Sequence, residues 1–160
     1  MRVVGIDLGE RRIGVAVSDA SGTLARPLKT IERGASDADA IERLQAMIAD
    51  LDEVGSVVVG LPTRLDGSSS PQTVRINAMV TLLSNRLTVP VVTQDERLSS
   101  REAEERLSVR EKDWRKRKAK LDAAAAAVIL QDYLDSAGQR AEGRGQKESE
   151  GNKESEGNNE

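Results

Sequence analysis

The chain contains no cysteine, no histidine and no phenylalanine, and Trp114 and Tyr133 are its only large aromatic rings in 160 residues. Without cysteine there is no disulfide and no thiolate-bound zinc, and without histidine nearly every transition-metal site goes too. General acid/base catalysis by imidazole and Ser-His-Asp chemistry are excluded with them. Val, Ile, Leu and Ala must fill the core, and the length suits one domain. There is no apolar run of about 18 residues and no signal-peptide pattern, so the expectation is a soluble cytoplasmic protein with no membrane partner.

The net charge of -3 argues against a nucleic-acid partner until its distribution is read. Residues 138–160 carry a net negative charge and repeat Lys-Glu-Ser-Glu-Gly-Asn at 147–152 and 153–158, with almost nothing apolar to bury. They read as a disordered polar tail behind a domain at 1–137. Within the body, Arg110, Lys112, Arg115, Lys116, Arg117, Lys118 and Lys120 crowd just before Asp122. A solvated charge run is the ordinary fate of such a segment, but a local basic stripe also binds a phosphate backbone.

Apolar runs of β type and helical periods alternate along the body. Residues 2–8 and 12–18 are Val-rich and separated by Gly9-Glu10-Arg11, a hairpin signal. Residues 22–31 supply a third strand. From Asp37, apolar positions recur at spacings of three and four to Leu51, with Ser36 or Asp37 as N-cap and Gly55 as the stop. Val57 to Leu61 is apolar without alternation, as in a strand buried on both faces. Pro71 opens a helix to about Leu87, residues 89–93 make a fifth strand, and helical character resumes near Ser100 and from Leu121 to Leu134. This order predicts an α/β fold with a mixed five-stranded sheet, three antiparallel strands leading and helical crossovers following.

Three acids stand at the ends of separate elements: Asp7 in the first strand, the pair Asp95 and Glu96 after the fifth, and Asp122 at the start of the last helix. Oxygen donors so placed suit a hard divalent cation that leaves room for substrate phosphates. An acid inside an apolar strand, as Asp7 is, is costly to bury without a cation or hydrogen bonds. Asp95 has the alternative of a surface acid, and Asp122 that of a first-turn acid favoured by the helix dipole. If the strand runs through both Asp95 and Glu96, alternation sends them to opposite faces, and the residues leave open which one faces the site.

Gly5-Ile6-Asp7-Leu8-Gly9 followed by Arg12-Ile13-Gly14-Val15-Ala16, then Val59-Gly60-Leu61-Pro62 with Asp66-Gly67, Asp95-Glu96-Arg97-Leu98-Ser99, and Lys120-Leu121-Asp122 running into Ala125, Ala126, Ile129 and Leu130 occur in that order. The sequence resembles the YqgF (RuvX) family of RNase H-like proteins, described as pre-16S rRNA nucleases and earlier as Holliday junction resolvases. The resemblance spans about residues 1 to 135. It implies an RNase H-like fold and phosphodiester hydrolysis by a hydrolase acting on ester bonds, with Asp7, Glu96 and Asp122 as metal ligands and Asp95 as the alternate. It implies a two-ion site for Mg²⁺ or Mn²⁺, and RNA in preference to branched DNA, in ribosome biogenesis. A homodimer is compatible with it.

Softer assignments follow. Arg11, Arg12, Arg97, Arg115, Lys116, Arg117, Lys118 and Lys120 are candidates to touch phosphate, although a surface ion pair is the commoner fate of an arginine. Gly9, Gly60 and Gly67 either let backbone approach a ligand or merely permit turns. Two rival classes remain. An actin-like ATPase or sugar kinase shares the first strand motif, yet needs a duplicated domain for which this chain has no room. A non-catalytic binding module, for instance in transcription, has no need of all three acids.

Overall fold

The computed structural model describes residues 1–62, 70–96 and 121–137. Seven elements come first: β1 (Arg2–Leu8), β2 (Arg12–Ser18), β3 (Ala25–Glu32), α1 (Asp37–Ala49), β4 (Val54–Pro62), α2 (Pro71–Arg86) and β5 (Val91–Glu96). A third helix, α3, occupies 121–137. The strands form one sheet in the order β3-β2-β1-β4-β5, with β2 antiparallel to both β1 and β3, and β4 parallel to both β1 and β5. The mixed sheet with three antiparallel strands leading is as expected.

The central strands carry apolar side chains on both faces, so both faces are covered. Val4, Ile6, Ile13, Val15, Val57 and Val59 face α1 and α2, meeting Ile41, Leu44, Met79 and Leu83. Ala16 and Val58 face α3, meeting Ala126, Ile129 and Leu130. Gly5, Gly14 and Gly60 lie under α3, and at each of them a methyl group would run into that helix. Small residues on both sides, including the alanines from Ala123, let α3 lie close against the sheet. Among the described residues, no helix is long and apolar enough to cross a membrane.

Element ends depart from the sequence pattern where tertiary pairing wins. The third strand begins at Ala25, because the backbone N–H of Asp19 bonds the carbonyl of Leu24 at 3.0 Å and closes a turn over the intervening residues. Pro27 is tolerated because β3 is an edge strand whose register shifts between Val15 and Ala16 of its partner. Gly55 does not stop α1. That helix ends at Ala49 with Asp50 as C-cap, Glu53 takes the positive φ of 56°, and Gly55 is already inside β4 under Met1. The fifth strand runs from Val91 to Glu96, beyond its apolar run, because parallel β4 continues pairing as far as Pro62 opposite Glu96. β4 lies between β1 and β5.

The caps agree with the helix-start signals. Ser36 accepts from the Asp39 N–H at 3.2 Å. Ser70 and Thr73 form a capping box on α2, and the buried Thr73 hydroxyl donates to the Pro62 carbonyl at 2.8 Å. This bond ties the start of α2 to the end of β4. Thr73→Val removes it while keeping the shape, and is expected to destabilise the protein by about 1–2 kcal/mol in denaturant unfolding; an unchanged midpoint would exclude such a tie.

Candidate metal centre at the strand ends

Alternation along the strands decides which acids share a face. In β1, Val3 and Gly5 face α3, and Asp7 has the same parity. In β5, Val92 faces α3, so Glu96 does too, whereas Asp95 has the parity of Val91 on the α1/α2 side and is exposed. The strand does run through both acids, and it places Glu96 rather than Asp95 on the sheet face of Asp7, with β4 between the two strands. Asp122, near the start of the described part of α3, has its backbone carbonyl where a side chain on Gly14 of β2 would stand.

Electrostatics links these groups in sequence. Burial, and then the charge of Asp122, push Asp7 up from the ordinary 3.8 to about 6. Glu96 is pushed up as well, to about 8, first by loss of solvent, then by a hydrogen bond to Asp132, and then by the charges of Asp132, Asp95 and Asp7. One oxygen of Glu96, Oε1, is buried without any hydrogen-bond partner among the described residues. Asp7 therefore feels Asp122 on one side and acts on Glu96 on the other.

The donors present are carboxylates only, the type that hard cations select. Among the described residues, no three acids already close around one point as a metal group. An Mg²⁺ site nevertheless asks for only one or two protein carboxylates, with water and substrate phosphate supplying the rest. Paired carboxylates and the unpartnered Glu96 oxygen fit such an ion.

Asp132 is a member of the group that the sequence pattern does not single out. It follows Ile129 by three positions on α3, so it sits on the flank of the stripe that packs on the sheet. An acid beside such a stripe is the available signal, although only the packed helix shows which strand it overhangs. Asp132→Asn removes the like charge and substitutes an amide donor, so Glu96 is expected to ionise at lower pH. Carbon-13 NMR of the glutamate Cδ against pH reads this directly, and an unmoved midpoint would remove Asp132 from the group.

The softer candidates divide. Arg11 is exposed on the first turn, where its carbonyl accepts from the Arg33 N–H at 3.0 Å. Arg12 begins β2 opposite Glu32 and shares the parity of Gly14, on the side of the acids. Gly9 is a turn residue, since a Cβ there would lie 2.5 Å from the Arg12 carbonyl. Gly60 is explained by packing, because its missing side chain leaves the space that Ile129 fills. Gly67, Arg97, Arg115, Lys116, Arg117, Lys118 and Lys120 lie outside the described residues, as do the helix expected near Ser100 and the C-terminal tail.

The strand order, the helices on both faces and the acids at the carboxyl ends of parallel strands define an RNase H-like α/β protein. The fowlpox virus Holliday junction resolvase has this fold: its crystal structure matches 85% of this chain and 99% of its own, with a TM-score of 0.52 and 16% identity. The chain itself belongs to the RuvX family, whose model, described as Holliday junction resolvase, matches residues 1–136. A protein of Thermoanaerobacter pseudethanolicus named "Putative pre-16S rRNA nuclease" is 42% identical over 138 residues, covering 85% of this chain and 97% of that one. A Geobacillus protein of the same name is 41% identical over 140 residues, covering 85% and 99%.

Proposed function

We propose that this protein is a divalent-metal-dependent nuclease that hydrolyses phosphodiester bonds of RNA and acts in the cytoplasm on the 5′ end of pre-16S rRNA. The observation that carries the reading is that Asp7 and Glu96 lie on the α3 side of the sheet near the carboxyl ends of β1 and β5, with Asp122 of α3 close enough to act on Asp7. Negative charge concentrated and partly desolvated in this way is unfavourable for the apo fold and is offset by a cation. The names of the relatives at about 40% identity supply the substrate class.

Asp7, Glu96 and Asp122 hold Mg²⁺ or Mn²⁺ in this reading. When bound, the ion supplies acidification of a water and neutralisation of charge on the scissile phosphate. The protein's own part is to fix the carboxylates: Asp7 by its place in a paired strand, Asp122 by the close seating of α3 on Gly14, and Glu96 by its place in β5 opposite Pro62. Arg12 on the same side, and the basic residues ahead of Asp122, draw the phosphate backbone in. Branched DNA is the second reading, favoured by the description of the family model.

The test offers the purified protein and its Asp7→Asn variant a labelled precursor rRNA fragment and a four-way DNA junction, with Mg²⁺, Mn²⁺ or EDTA. Metal-dependent cutting of the RNA alone, lost in the variant, is the expected result. Cutting of the junction alone would move the assignment to the second reading. Failure of the folded, metal-binding protein to cut either would leave a binding module.

A further inference from the structure

Across the sheet from the acids, α1, α2 and the first turn border an open cavity of about 450 Å³. Its floor is apolar and buried, made by Leu8, Ile76 and Met79. Its walls are polar: Gln72 and Arg75 come from the first turns of α2, and Glu10 from the turn after β1. Arg33 and Asp37 close the α1 side, where Arg33 is held by its Nη1 donating to the Gly9 carbonyl at 3.0 Å and its Nη2 to Asp37 Oδ1 at 2.9 Å.

The charges of this lining cancel, Arg33 and Arg75 against Glu10 and Asp37. A phosphate group asks for net positive charge and finds none here. What the lining matches is an uncharged planar group, apolar on its faces and hydrogen-bonding around its rim. Leu8, Ile76 and Met79 meet one face, while the Gln72 amide, the Glu10 carboxylate and the Arg75 guanidinium serve the rim. A nucleobase is such a group, and unpaired bases are read through these contacts when splayed out of the stack.

Position supports the same occupant. Leu8 directly follows Asp7, and alternation puts their side chains on opposite sides of one strand tip. A single strand that crosses the carboxyl end of β1 with a phosphate at Asp7 offers a neighbouring base to the cavity. Resting on the nuclease reading, we infer that the cavity between α1 and α2 is a subsite for one unpaired base next to the scissile phosphate. The enzyme then cuts in single-stranded stretches and discriminates among bases at one flanking position.

Two linked measurements test this. Randomised single-stranded RNA is cut by the wild type, by Gln72→Ala and by Ala78→Phe, whose ring fills the mouth of the cavity from an exposed position, and the new ends are sequenced. The wild type is expected to show a base preference at one position flanking the cut, and both variants to flatten it there while still cutting. In the uncleaved state, Asp7→Asn protein should bind an RNA lacking that base about tenfold more weakly, the scale of burying about 50 Å² of apolar surface. The further substitution Ala78→Phe should abolish the difference. Circular dichroism verifies folding, and Gln72→Ala, at an exposed site, carries the test if the larger substitution perturbs the helix. A flat wild-type profile with cutting intact, or variants that keep the wild-type profile, overturns the subsite and leaves the nuclease. A folded wild type that neither cuts nor binds any nucleic acid overturns both.

Discussion

Asp7→Asn is expected to lower hydrolysis by about 10³-fold or more, the scale of losing a charge-stabilising group at a reacting centre, and at the same time to make the metal-free protein more stable. The carboxyl of Asp7 ionises at about 6 in the folded chain against an ordinary 3.8. The unfolded chain therefore releases its proton first as pH rises, and the folded chain holds it longer. The contribution of Asp7 to stability is highest below the ordinary value, falls between about pH 4 and 6, and stays low above. This displacement of the ionisation corresponds to about 3 kcal/mol at neutral pH. An asparagine has no proton to lose, so the variant should keep only the fall that the raised Glu96 carboxyl produces between about pH 4.5 and 8, and should gain about that amount at pH 7.5. Mg²⁺ or Mn²⁺ should then stabilise the wild type and leave the variant nearly unmoved. Denaturant unfolding from pH 4 to 8, with and without the ion, reads all of this. Wild-type and variant profiles that run parallel from pH 4 to 6 would show that Asp7 is not held in a desolvated, acid-flanked position.

Gly14→Ala is expected to destabilise the protein by about 2–3 kcal/mol and to reduce activity as well, because the added methyl would occupy the place of the Asp122 backbone carbonyl. Backbone cannot turn aside as a side chain can, so α3 must lift from the sheet and carry Asp122 with it. Gly60→Ala is the matched comparison, since its Cβ would meet the terminal methyl of Ile129, which has a rotamer to yield. It should cost less, about 1 kcal/mol, and leave cutting close to the wild-type rate. Equal losses in the two variants would mean that α3 is not positioned by its contact with Gly14. Unfolding midpoints together with initial cleavage rates separate these outcomes.

Much was legible in the residues alone. The Val-rich runs, the period from Asp37 and the proline at 71 were enough to place five strands and the helices among them, because hydrophobic periodicity and caps are local properties. Asp7 stood out for the same reason: an acid within an apolar strand conflicts with its neighbours, and that conflict needs no distant partner to be noticed. The lack of cysteine and histidine narrowed the ligand chemistry to oxygen before any fold was considered.

Other features depended on contacts between distant parts of the chain. Whether Asp95 or Glu96 faces Asp7 turns on the register of β5 against β4, and a shift of one residue exchanges the faces. Where β5 ends was set by how far its partner extends, which its own polar last residues conceal. Asp132 joins Glu96 because α3 crosses the sheet far enough to overhang β5, a consequence of the small residues at Gly5, Gly14 and Gly60 that let the helix lie close. The cavity beside Leu8 exists only where α1, α2 and the first turn come together. Residue order alone was sufficient for the order of the described strands and helices, the donor types available and the family. Which side chains face one another was settled only in the folded chain, because strand register and helix seating are long-range properties that no local pattern encodes.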